Sequence, residues 1–154
     1  LCHVLDECSL GVHVVAAVDE AGALRLRVLE ALAEAIADAG RNCLRRLDSE
    51  AAVFSYVLGP AMNELSLRLR RANFRSVSRQ AFAKLATAAL EYILRGGPFE
   101  TAETAALFAD NCRKDLGALV DSSLEREDAA CVRPVYDSCA LLSLPEAEAE
   151  AALA

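Results

Sequence analysis

Proline and glycine are scarce in this sequence, four and seven among 154 residues, so little interrupts regular structure. β-Branched residues are also sparse, while alanine and leucine dominate, a mixture that favours helix. A basic excess is missing too. The net charge is −7, which argues against a nucleic-acid binder, because such proteins carry a basic stripe or surplus. Long apolar runs are absent. The longest candidate, Leu10 to Val18, contains His13, stops at Asp19 and is too short to span a bilayer. The chain opens on Leu1 with no basic leader or cleavage pattern, and the reading expects a piece of a longer cytoplasmic protein.

Catalytic signatures are missing as well. No Gly-x-Ser-x-Gly elbow or phosphate loop occurs, and no Glu-x-x-His pair offers a di-iron site. Two histidines leave only His3 or His13 for a Cys-His nucleophile. Cys2, His3, Cys8 and His13 carry zinc-ligating atoms, but their spacing does not fit a Cys-x2-Cys knuckle. A small metal-binding helical protein using these four remains an alternative to the non-enzymatic reading, which assigns no metal, cofactor or small-molecule substrate. Six cysteines are present. Cys43, Cys112 and Cys139 fall on apolar helical stripes, where a free thiol acts as a small hydrophobe, and all six are expected to be reduced.

What is present is helical periodicity. Hydrophobic residues make up 55% of the chain, enough for a core. Leu5 to Val18 reads as a first helix and a second is expected to begin near Ala21. Its seam is Leu29, Leu32, Ile36, Cys43 and Leu47, with Gly40 in the skipped position, marking a close helix approach or a bend. Asp48 or Ser49 is the expected cap of a third helix with the seam Leu58, Met62, Leu65, Leu69 and Ala72. Pro60 interrupts it, so a restart after Gly59 is expected. Asn73 is read as a break or cap. Val77, Ala81, Leu85, Ala88 and Tyr92 line the next helix, which Gly96-Gly97-Pro98 ends. Thr101 caps a helix carrying Ala105, Ala109, Cys112, Leu116 and Leu119. Ser122 to Glu125 has capping-box spacing, and a last helix runs through Val135, Cys139 and Leu142, its start limited by Pro134.

The fold class is therefore all-α, an up-down antiparallel bundle of five to six helices, read as a segment of an elongated rod. The expected division is a short N-terminal helix over 1–20, a bundle over 21–145 and an acidic Ala/Glu tail over 146–154. Glu30 with Glu34, and Glu125 with Asp128, share helix faces and read as solvated carboxylates. Arg68, Arg71, Arg75 and Arg79 form one basic stripe if a single helix runs through Asn73. The stripe is either a solvated face or a site for anionic lipid or an acidic helix.

Three stretches resemble the C-terminal part of a MUN domain, the second Munc homology region of vesicle-priming and tethering proteins. Phe54-Ser55-Tyr56-Val57-Leu58 with Met62-Asn63-Glu64-Leu65 resembles the family's Tyr-Leu helix. Asn73-Phe74-Arg75-Ser76-Val77 resembles its Asn-Phe-x-Arg-Val-Leu element, with Ser76 in place of the Arg and Ser78 in place of the Leu. Asn111 to Leu119 resembles its acidic-Leu-x-x-Leu element. The likeness covers roughly residues 50 to 145, and the family's tryptophan has no counterpart. The resemblance implies a non-catalytic rod that binds SNARE proteins or bridges membranes, cytoplasmic, with a peripheral place at a vesicle or plasma membrane as one option, without a cofactor. A segment of an exocyst-like tethering subunit fits the same features.

Overall fold

The computed structural model describes residues 2–97 and 99–144, with side chains from Ala17 onward. It is an all-α bundle with no strand among the described residues. Five helices, α1 (Cys2–Leu44), α2 (Val53–Arg68), α3 (Arg71–Leu94), α4 (Ala102–Ser123) and α5 (Arg133–Leu142), are joined by short connections. A 3-10 segment, Asp128–Val132, leads into α5. The expected tail over 146–154 and Pro98 lie outside the described residues.

Several boundaries differ from the sequence reading. The helices expected over 5–18 and from Ala21 are one helix of 43 residues, so the division at residue 20 falls inside α1. Nothing between Val18 and Ala23 disfavours helix except Gly22, whose cost of about 1 kcal/mol is too small to end one. Helix α2 does not restart at Pro60 but runs through it. The glycine before the proline explains this, since the ring usually clashes with the preceding Cβ and Gly59 has none. Neither Asp48 nor Ser49 caps α2. Its N-cap is Ala52, in the left-handed region at φ 60 and without a side-chain cap. Asn73 neither breaks nor caps. It lies in the first turn of α3, and the break falls at Leu69 and Arg70, both extended. The Ser122 box is not formed, because α4 continues to Ser123.

Other expectations hold. Thr101 caps α4 in a reciprocal box with Thr104, the two backbone N–H groups donating to the opposite hydroxyls at 3.1 and 3.2 Å. Gly96 and Gly97 end α3 with positive φ, and their N–H groups donate to the carbonyls of Ile93 and Tyr92. Pro134 sits in the first turn of α5.

The helices pack α1 on α3, α2 on α4 and α4 on α5, whereas α2 and α3 touch little despite their two-residue link. Phe54, Phe82, Phe108, Leu58, Leu85 and Leu116 fill the centre. Gly40 marks a close approach of α1 to α3. A Cβ there would lie 2.8 Å from the Leu85 side chain. Of the seam residues, Leu29, Ile36, Leu85, Leu116 and Leu119 are buried, but Leu32, Leu65 and Leu69 are only half-buried, Leu32 and Leu65 beside an opening between α1 and α2, and Ala72 is exposed and belongs to α3.

The capping that Ala52 fails to supply comes from another helix. Asp115, buried on α4, accepts from the Phe54 N–H at 2.5 Å, from the Ser55 N–H at 3.0 Å and from the Ser55 hydroxyl. A carboxylate there meets the orphan N–H groups and the positive end of the α2 dipole. One turn earlier, the Asn111 amide donates to the Leu47 carbonyl at 2.8 Å. Residues four apart on α4 therefore hold both sides of the α1–α2 connection. The stretches around Phe54 and around Asn111 meet at this clasp.

Replacing Asp115 by Ala leaves two N–H groups and a hydroxyl without their acceptor and is expected to cost about 1–3 kcal/mol in chemical denaturation. Asp115→Asn keeps one accepting oxygen and is expected to cost less. Leu116→Ala, one residue on, is expected to cost about 2–5 kcal/mol through transfer and cavity terms. A loss under half a kilocalorie (roughly the noise of a surface change) would contradict its burial.

Candidate functional site

The four arginines of the sequence stripe do not share one helix. Arg68 ends α2 and the other three lie on α3, because the chain extends at Leu69 and Arg70. Arg68 pairs with Glu64 in its own helix. Arg71 reaches Glu125 at 2.9 Å. Arg75 is held most tightly: Nε lies 2.6 Å from Asp128, Nη1 2.8 Å from Glu125 and Nη2 3.7 Å from Glu127. Its hydrogen bond with Asp128, reinforced by the charges of Asp128 and Glu125, pushes the guanidinium pKa further up. Arg79 is exposed and makes no ion pair among the described residues.

Arg75 thus ties α3 to the segment entering α5, and the Asp128 side chain is 8% exposed. Glu125 and Asp128 are not a solvated acidic face. They face the α3 arginines because the loop after α4 turns back across α3. Glu34 behaves likewise: Lys84 and Arg41 bond to it, hold its carboxyl below the ordinary range and link α1 to α3. The face left for an outside anion is smaller than the stripe in the sequence, consisting of Arg68, Arg71 and Arg79, all strongly exposed.

A second surface was not singled out in the sequence. Leu32, Ala35 and Ala39 of α1 and Val57, Ala61 and Leu65 of α2 line an open recess of about 340 Å³ with Glu64 at its rim. The short alanine side chains leave the recess unfilled, and Val57 remains exposed. The seam positions Leu58 and Leu65 were legible, but the alanines beside them read as ordinary helix formers. Only the placement of α1 beside α2 makes their faces into a trough.

No group of three or more metal-ligating side chains occurs among the described residues. The side chains of Cys2, His3, Cys8 and His13 lie outside them. No described helix is long and apolar enough to cross a membrane. Cys43, Cys112, Cys131 and Cys139 are free thiols, and only Cys131 is not fully buried. A hydrogen bond donated by Cys112 to Cys139, with burial, pushes the Cys112 thiol well up and draws the Cys139 thiol down, while burial raises Cys43 and Cys131.

Alkylation of the native protein at neutral pH is expected to label Cys131 well before Cys43, Cys112 or Cys139, because the reactive species is an accessible thiolate. All four are expected to react after denaturation. Peptide mapping reads the order, and equal rates at Cys112 and Cys131 would contradict the packing of α4 on α5. Comparison with protein-family models, with curated proteins and with solved structures finds no match to this chain.

Proposed function

We propose that this chain is a non-catalytic helical binding module that receives an amphipathic helix of another protein in the trough between α1 and α2. The observation that carries the reading is the chemistry of that trough. Its lining is almost wholly apolar, it is open along one side, and one carboxylate stands at its rim. A small polar substrate would find no array of donors and acceptors there. The apolar stripe of a helix, with anchors three and four residues apart, fits such a groove.

The resemblance to MUN-type modules supports the partner class: a SNARE helix in vesicle priming or exocytosis, with the exocyst-like reading differing in partner and not in mode. The exposed arginines Arg68, Arg71 and Arg79 supply an accessory surface for acidic helices or anionic headgroups. Each charge is worth about 1 kcal/mol at an anionic bilayer, screened beyond roughly 8–10 Å at physiological salt. Arg75 is excluded from that role because its guanidinium is occupied within the fold.

One experiment separates the two surfaces. Ala35→Glu with Ala61→Glu places charge in the trough at exposed positions, leaving the core untouched. Binding to an assembled SNARE bundle is expected to weaken at least about tenfold, or about 1.4 kcal/mol, with helical content unchanged. Changing Arg68, Arg71 and Arg79 to Glu is expected to abolish salt-sensitive binding to acidic vesicles while leaving the trough competent. Absence of wild-type binding to either target at low salt, or indifference to both sets of changes, overturns the reading.

A further inference from the structure

The seam of α1 does not stop where the bundle stops. Leu29, Ala33, Ile36, Gly40 and Cys43 repeat at alternating spacings of four and three, and all five are buried. The stripe continues toward the N-terminus through Leu26, Gly22 and Val18, at spacings of three, four and four, so the strict alternation slips by one residue between Gly22 and Val18. There it meets no partner: Val18 is 64% exposed, Leu26 56%, and nothing lies within 4 Å of a Cβ built on Gly22. Every residue from Ala17 to Val28 is exposed. In the sequence the pattern runs on through Val15, Gly11, Cys8 and Val4, and the helix is continuous back to Cys2. An isolated helix with an uncovered apolar stripe is marginal in water and is stabilised by covering that stripe.

We propose that this N-terminal half of α1 pairs with the same segment of a second copy of the chain, antiparallel, forming a two-stranded coiled coil that joins two bundles. The paired face continues the face that α3 already covers within the bundle. From Cys2 to Val28 the helix is roughly 40 Å long at about 1.5 Å per residue, enough for more than three heptads. Charge selects the partner and its direction. The segment carries Asp6 and Glu7 near its start, Asp19 and Glu20 past its middle, and its two arginines, Arg25 and Arg27, at its far end. In the antiparallel register that sets position 15 against position 18, position 7 comes close to position 25 at both ends of the pair, and both positions flank the seam, so Glu7 and Arg25 bring opposite charges together there. A parallel pair sets each charged end against its own kind, which costs free energy. The same register brings position 11 against position 22. Both are glycine, so the two backbones can approach closely there.

The pairing is independent of the trough and of its ligand. Among the described side chains, neither the core nor the clasp at Asp115 involves residues 17–28. The test uses the full chain in reducing buffer, with mass measured by sedimentation equilibrium over a range of concentrations. Wild type is expected to shift from one to two copies as concentration rises. Val18→Glu with Leu26→Glu, both at exposed positions, is expected to raise the dimer dissociation constant at least tenfold, with the bundle's thermal unfolding unchanged. Arg25→Glu with Arg27→Glu, and separately Asp6→Lys with Glu7→Lys, are each expected to be monomeric, and an equimolar mixture of the two is expected to recover the two-copy mass. Wild type monomeric at the highest attainable concentration overturns the proposal. So does a dimer indifferent to the Val18 and Leu26 changes. Charge-reversed variants that dimerise as well as wild type overturn the antiparallel register.

Discussion

The bundle turns on a pair of side chains one turn apart on α4. Asn111 holds the Leu47 carbonyl in the turn that follows α1, and Asp115 holds the N–H groups that open α2. Helix ends carry orphan polar groups that cost free energy if buried unpaired. Here the chain reverses direction through an exposed, left-handed Ala52 with no cap of its own, and the first residues of α2, Val53 and Phe54, are buried at once. A carboxylate from a distant helix takes the role that a local Ser or Asp usually fills. The clasp fixes where α2 starts and how it lies against α1 and α4, and through that placement it shapes the trough.

Electrostatics divides into an interior and an exterior part. The net charge of −7 describes the whole surface, but the strongest charge pairs bind elements to one another. Arg75 faces three carboxylates from the segment that follows α4, and Glu34 bridges Lys84 and Arg41. Exposed pairs of this kind contribute little individually. As a cluster around a nearly buried Asp128 they orient the 3-10 segment and the start of α5. Of the arginines left facing solvent, Arg68 pairs within its own helix, Arg71 reaches Glu125 of the loop after α4, and Arg79 makes no ion pair among the described residues.

Apolar surface divides in the same way. Phe54, Phe82 and Phe108 close the centre, and Tyr92 and Phe99 pack around Phe108, with ring centroids 5.5 and 5.1 Å from it. At one side the alanine-lined trough stays open, and beyond Leu29 the apolar stripe of α1 runs out of the bundle uncovered. Both uncovered surfaces are continuous with packed ones, so the helices that carry them are positioned before any partner arrives.

The sequence by itself determined the class of fold, the ends that rest on local chemistry and most of the core. Alanine and leucine with few breakers dictate helix. Thr101 and the Gly96-Gly97 pair act on groups within a few residues, and Leu116 or Leu85 is buried because a period near 3.6 gathers apolar residues on one face. What depends on long-range contact was not legible. The cap of α2 lies on α4, some sixty residues away, and the partners of Arg75 arrive from a loop whose course no local pattern specifies. The stripe of four arginines was split by two extended residues, Leu69 and Arg70, whose side chains are compatible with helix. The trough exists only because two alanine-bearing faces were brought side by side. Periodicity reports which face of a helix is apolar, but which neighbour covers that face, or leaves it open, was decided by tertiary packing.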